Sequence, residues 1–263
     1  MRKCAGVALA ITLLTALDAE HAASQLSSDR PWHGMRTATV PQGHFPVEAG
    51  YTLFRVDDVT EHRIGEGLLR LGIIPGLEAR VGVPTFHSER IETDGLVEIE
   101  EEESGFGDAS VGVKLGLYES GVAEGLPSVS VLLGSSIPLG DDEFGADGWE
   151  PEALLALGWS LAPRLDLGAN VGYAQRVAGG LDGDDRSDEL FASIALGFPI
   201  TETLGGFGEY VAVRPDEGVD EDFIDGGLTF LLSETFQLDA RVGVGLGDSD
   251  DALLFGVGFA KLF

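Results

Sequence analysis

From about Phe45 onward, apolar side chains alternate with polar ones or glycine in segments of roughly ten residues. A period of two puts successive side chains on opposite faces of an extended strand. In Arg164–Arg176, Leu165, Leu167, Ala169, Val171 and Tyr173 share one face, while Arg164, Asp166, Gly168, Asn170, Gly172 and Arg176 share the other. Phe236–Leu246 repeats the pattern, with Phe236, Leu238, Ala240, Val242 and Val244 set against Gln237, Asp239, Arg241, Gly243 and Gly245. The alternation predicts about twelve strands, at 44–55, 62–74, 77–87, 106–118, 126–138, 151–161, 164–176, 188–200, 203–214, 223–232, 235–246 and 252–263.

The connections sort by length. Tight ones fall at Pro75-Gly76, Ala162-Pro163, Thr201-Glu202 and Ser233-Glu234, and long acidic ones at 88–105, 139–150, 177–187 and 215–222. Alternation of short and long places all short turns at one end, as in a transmembrane antiparallel up-and-down β-barrel, whereas a soluble sandwich gives no such sorting. The connections 56–61 and 247–251 are short for their side, and 119–125 is long for its own. Aromatic residues on the apolar face form two levels. Trp159, Phe198, Phe230, Phe236 and Phe259 lie near the short-turn end, and Tyr51, Tyr173, Tyr210 and Phe255 toward the long loops. Two such belts are expected where amphipathic rings meet lipid headgroups. The last strand closes on an aromatic residue, Phe263, with Lys261 in an outward position that snorkelling can accommodate.

Composition adds constraints. No apolar run of eighteen residues follows the N-terminus, so no transmembrane helix is available. The abundance of glycine, 38 residues, argues against an α-rich fold. Residues 1–24 carry Arg2 and Lys3, a short apolar run from Cys4 to Leu17, and small residues after it, the layout of a secretory signal peptide. Removal of that segment takes away the single cysteine, and with it any disulfide framework or Cys-based site. Residues 25–42 form a periplasmic N-terminal segment, either a tail or an insert in the lumen, in which Pro31 and Pro41 oppose regular structure. The barrel proper is 43–263. The net charge of -29 repels nucleic acid, whose binding depends on Lys and Arg displacing phosphate counterions.

If the apolar face meets lipid, the other face encloses a lumen. Twelve strands about 4.8 Å apart, tilted near 40°, give a cylinder roughly 24 Å across, which side chains narrow to a thin path or close. The pore-lining candidates are Arg70, Glu78, Arg80, Lys114, Arg164, Asp166, Asn170, Glu209, Asp225, Asp239 and Arg241. Arg70, Arg80, Lys114, Arg164 and Arg241 all lie near the short-turn side. They form either a charge-selecting band facing acidic groups or a salt-bridge lattice that holds the wall together. The acidic stretch 88–104 lacks the DxDxDG spacing that fixes calcium ligands and reads as solvated charge, and no metal or cofactor is expected.

An ordered series of segments resembles a known family. The segments are DRP at Asp29–Pro31, VPQGHFPVEAGYTLFRVD at Val40–Asp57, LLRLGIIPGLEARVGV at Leu68–Val83 and GFGDASVGVKLGL at Gly105–Leu117. They continue with SIPLG at Ser136–Gly140, GWSLAPRLDLGANVGY at Gly158–Tyr173 and GGLTFLLSETFQLDARVGVGL at Gly226–Leu246. Together they are similar to the family called Putative MetA-pathway of phenol degradation, whose members are labelled transporters. The resemblance implies an outer-membrane barrel that helps hydrophobic or aromatic compounds enter the cell, and it brings no catalytic motif. The ending AKLF departs from the aromatic-basic-Phe ending expected of such barrels.

The expectation is a passive outer-membrane channel of a Gram-negative bacterium. Its partners would be outer-membrane lipid and lipopolysaccharide, the barrel-assembly machinery acting through Phe263, and a small-molecule permeant. A non-conducting structural or binding barrel is the alternative. An outer-membrane hydrolase would need a Ser or Thr beside a histidine base. His87 and Ser88 are neighbours in a strand and point to opposite faces, and neither GxSxG nor HExxH occurs.

Overall fold

The computed structural model describes residues 26–93, 99–121, 125–177 and 186–263. The expected signal segment, with Cys4, lies outside them, as does part of the acidic 88–104 stretch. Strands follow in chain order as β1 Pro46–Val56, β2 Val59–Ile74, β3 Leu77–Gly82, β4 Phe86–Thr93, β5 Ile99–Phe106, β6 Ala109–Tyr118 and β7 Ser128–Ile137. They continue as β8 Glu150–Ala162, β9 Leu165–Val177, β10 Arg186–Pro199, β11 Leu204–Pro215, β12 Glu221–Ser233, β13 Phe236–Leu246 and β14 Leu253–Leu262. Each pairs antiparallel with its neighbour, and β1 pairs with both β2 and β14, so the sheet closes on itself.

The wall is a closed barrel of twelve strands, because two strands are interrupted. β2 pairs with β3 through its lower half, Leu68 to Ile74, and with β4 through its upper half, Val59 to Ile64. β3 and β4 are therefore one wall strand broken at 83–85, and β5 and β6 are the next, broken at 107–108. The expected loop at 88–105 is largely a hairpin, β4–β5, running from Phe86↔Phe106 to Thr93↔Ile99. Lipid demands no apolar face above its own level, so the glutamate-rich β5 sequence hides the period-two signal there.

Burial is inverted relative to a soluble protein. Val171, Ile194, Ile224 and Val242 are exposed on the outer face, while Asn170, Glu209, Asp225 and Asp239 are buried inside. Trp159, Phe198, Phe230 and Phe259 ring the outside near the short turns, and Tyr51, Tyr173, Tyr210 and Phe255 near the long loops. Each belt tyrosine shares its hydroxyl with a neighbouring strand, Tyr51 with His62 Nδ1 at 2.8 Å, Tyr173 with Asp188 at 2.7 Å and Tyr210 with Asp222 at 2.5 Å. Phe263 stacks on Phe45 at 5.2 Å, and the two exchange backbone hydrogen bonds, so the chain end is clasped at the barrel seam. Lys261 Nζ reaches Thr235 Oγ1 at 2.9 Å and lies over the Phe236 and Phe263 rings, which takes its charge to the interface.

Candidate functional site: a plug in the lumen

Residues 26–42 do not hang below the barrel as a tail; they run through the lumen and bond to the wall around its circumference. With two prolines and no strand partner, this segment has backbone groups that no ladder satisfies. Wall carboxylates and an amide take them. Glu48 accepts from the backbone N–H of Asp29 and Arg30 at 3.3 Å each, and Glu209 from His33 at 2.8 Å and Gly34 at 3.2 Å. Asn170 Oδ1 accepts from Met35 N at 3.2 Å, and Glu78 from Val40 N at 2.8 Å.

One flank is an ion cluster built on Asp29. Its carboxylate lies 2.7 Å from Arg80 Nη1, 3.8 Å from Lys114 Nζ and 3.9 Å from Arg70 Nη1. Arg70 is bidentate to Glu78, at 2.6 and 2.9 Å, and donates to Glu48 at 2.9 Å and to Ser27 O at 2.8 Å. Lys114 donates to Ala38 O at 2.8 Å. Three cations thus meet three carboxylates, so the buried island is close to neutral, the condition under which buried charge is tolerated. Burial alone would raise the Asp29 carboxyl, but Arg70, Lys114 and Arg80 hold it far below the usual carboxylate range.

The opposite flank uses Arg30, Trp32 and His33. Arg30 donates to Asp239, with Nη2 at 3.2 Å from Oδ1, and lies 3.5 Å from Glu66. A Cβ on Gly258, in the wall, would overlap the Arg30 guanidinium, which would have to shift to make room. Trp32 packs with Ala195 and Phe207, and a Cβ on Gly168 would sit 2.6 Å from its ring. His33 Nδ1 faces Asp225 at 2.8 Å and Glu209 at 3.6 Å, an arrangement that could in principle hold a metal. Arg241 Nη1, however, lies 3.2 Å from the other ring nitrogen. Arginine can only donate, so Nε2 accepts, and the hydrogen-bond pattern assigns the ring proton to Nδ1. A metal-bound imidazole needs the reverse, with its free nitrogen donating. The positive charge at this site comes from Arg241, and we read the cluster as a plug contact.

The pore-lining candidates therefore divide. Arg70, Glu78, Arg80, Lys114, Asn170, Glu209 and Asp239 all touch the plug, as does Arg241, which also donates to Pro31 O at 3.3 Å. Asp225 faces His33, and Asp166 borders the space below the plug. Arg164 is not on a strand: it occupies the β8–β9 turn with φ 63 and donates to Thr201 O at the rim. The expected five-membered basic band is thus three residues on Asp29, one residue across the lumen and one at the mouth. Sequence reading gave these cations two roles, selection or wall lattice, and missed docking of the plug.

Cavities lie on both sides of the plug. The one on the long-loop side, about 360 Å³, is lined by Trp32, Met35, Leu68, Leu132, Leu154 and Phe191, with Arg176, Glu152 and Glu189 among the polar groups. Beside it, buried Val211 and Phe223 pack with Phe54, Phe191 and Val213 on the inner wall, and the Phe54 and Phe223 rings meet edge-on at 6.0 Å. These apolar residues share the inward face with Glu209 and Asp225, where polar lining was expected. On the short-turn side, a cavity of about 480 Å³ opens between plug and wall.

Among solved structures, an outer membrane channel from Pseudomonas putida F1 is similar, with a TM-score of 0.63 and 13% identity over 88% of this chain and 100% of that one. The NanC porin gives a TM-score of 0.53 with 13% identity, covering 82% and 98%. The translocator domain of the autotransporter NalP from Neisseria meningitidis gives 0.51 with 11% identity, covering 83% and 87%. At such identities the likeness speaks to fold alone, and it is a likeness to outer-membrane barrels. No curated protein matches the chain in sequence. The family model described as "Putative MetA-pathway of phenol degradation" matches residues 28–262, from the start of the plug to the last strand, and the chain belongs to that family.

Proposed function

We propose that the protein is a passive channel of the Gram-negative outer membrane, closed by its own N-terminal segment, that admits small apolar or aromatic molecules. The observation that carries this reading is the apolar inner wall above the plug. Phe54, Phe191, Val211 and Phe223 pack together on the inward face, where water and ions alone would favour polar side chains, and Phe191 borders the cavity beside them. The adjoining cavity of about 360 Å³ combines an apolar part, Leu68, Leu132, Leu154 and Phe191, with charged groups, and its volume is larger than the roughly 150 Å³ that holds benzene. The fold and the family support the channel role, and the outward apolar band with its two aromatic belts supports the placement in lipid. Lipid and lipopolysaccharide are the proposed surroundings, and the clasped Phe263 is the proposed element read by the assembly machinery. The reading is non-enzymatic: His87 Nδ1 pairs with Glu61 at 2.6 Å and His62 with Tyr51, and no histidine among the described residues bonds to a Ser or Thr hydroxyl.

Planar-bilayer recording tests the proposal. Open events of the purified barrel are expected to show current blocks when benzyl alcohol is added on the long-loop side, and fewer blocks in Phe191→Asp. Silence across salts, including in variants with a loosened plug, would favour the non-conducting barrel.

A further inference from the structure

In the plug, two buried donors lack acceptors. Arg36 Nε and Trp32 Nε1 are shielded from water and make no hydrogen bond among the described residues. An unpaired buried donor costs about 1–3 kcal/mol, so the Arg36 guanidinium lacks the acceptor that would normally accompany its burial. The two side chains form a unit, with the Arg36 guanidinium 4.5 Å from the Trp32 ring centroid. Among the described residues, Arg36 is anchored through its backbone N–H, which donates to Asp29 Oδ1 at 3.0 Å.

Arg36 and Trp32 line the cavity of about 480 Å³ together with Arg164, Phe207 and Leu231. Its one lining carboxylate, Asp166, takes the Ser160 hydroxyl at 2.9 Å and forms no ion pair with Arg36. Two cations against one carboxylate leave this cavity net positive. The chain as a whole carries -29, and the cavity above the plug is lined by five carboxylates against three arginines. A planar guanidinium presents a fork of donors that matches a carboxylate, and Arg36 has that fork free.

We infer that this cavity is a binding site for a small aromatic monocarboxylate. Arg36 takes the carboxylate through its terminal Nη atoms, and Arg164 adds charge at the mouth. The ring lies against Phe207 and Leu231. The site is separate from the apolar vestibule above the plug and does not depend on the direction or existence of transport.

The test is a binding titration on the detergent-solubilised full barrel. The protein has three tryptophans, so Trp149→Phe with Trp159→Phe leaves Trp32 as the sole emitter. Benzoate should change that emission saturably. Acetate, which keeps the charge and lacks the ring, should bind at least about tenfold more weakly, as loss of the ring's buried apolar area implies. Arg36→Gln should weaken benzoate by about tenfold or more, with partial recovery in Arg36→Lys. Arg164→Gln alters the wall and leaves the plug sequence intact, so its smaller loss keeps the test valid if Arg36→Gln disturbs docking. Non-saturable benzoate, equal binding of acetate, or unchanged affinity in both arginine variants would overturn the assignment.

Discussion

The ion cluster at Asp29 sets how firmly the plug is held, and Asp29→Asn isolates its charge. Asparagine keeps the Oδ1 that accepts from Arg36 N, so shape and that bond survive. What is lost is the anion shared by Arg80 at 2.7 Å, Lys114 at 3.8 Å and Arg70 at 3.9 Å, leaving three buried cations with only Glu48 and Glu78. Removing one partner of a buried ion pair costs about 3–5 kcal/mol. The lumen cavities lie close by, so the lower figure of about 3 kcal/mol applies. At about 1.4 kcal/mol per factor of ten, the docked-to-undocked ratio falls roughly 150-fold. The assay is single-channel recording in planar bilayers, with opening frequency compared between wild type and variant, and heat-modifiable gel migration confirming a folded barrel. Adding Arg80→Gln removes the stranded charge and should return part of the loss, as expected for groups in one network. A folded Asp29→Asn barrel with unchanged opening frequency would refute the argument that this cluster docks the plug.

Further outcomes follow from the same geometry. Trp32→Ala empties the packing against Ala195 and Phe207 and should weaken docking by about 3–5 kcal/mol, read as longer open times. Val242→Arg places a charge on the lipid face and should destabilise the barrel by about 2–4 kcal/mol in a refolding titration, whereas Arg164→Gln at the rim should cost under about 0.5 kcal/mol. The depressed Asp29 carboxyl stabilises docking above its undocked value of about 3.9, and that contribution is lost only as pH falls through the lower docked value. Opening frequency should therefore stay low at pH 4–5, and a rise already at pH 5 would count against Asp29 as the anchor.

The alternation of side chains carried most of the barrel, because lipid outside and water inside impose opposite chemistries on successive residues. That signal fails where either solvent changes. Above the membrane, β4–β5 needs no apolar face, and an acidic hairpin read as a loop. Inside, the inward face of β11 turns from Glu209 to Val211 and Val213, and the assumption of a polar lumen hid an apolar vestibule that parity alone would have located. The plug was legible only indirectly. It has no periodicity, and its bonds are backbone N–H groups given to wall carboxylates. One clue was available: Arg70 lies directly across from Arg80, a like-charge pair that needs anions from elsewhere. Glu78 and Asp29 supply them, the latter from the DRP segment whose only visible quality was resemblance.

Closure by a lumenal plug can be tested by tethering it. A Cβ at Gly158 would lie 3.6 Å from Thr37 Cβ, within disulfide reach, and Cys4 is the only cysteine in the sequence. In barrels carrying Thr37→Cys and Gly158→Cys, oxidation should form the bond in folded protein and suppress openings even with Asp29→Asn, and reduction should restore them. Failure to cross-link in intact barrels, or undiminished current once cross-linked, would contradict a channel closed by residues 26–42.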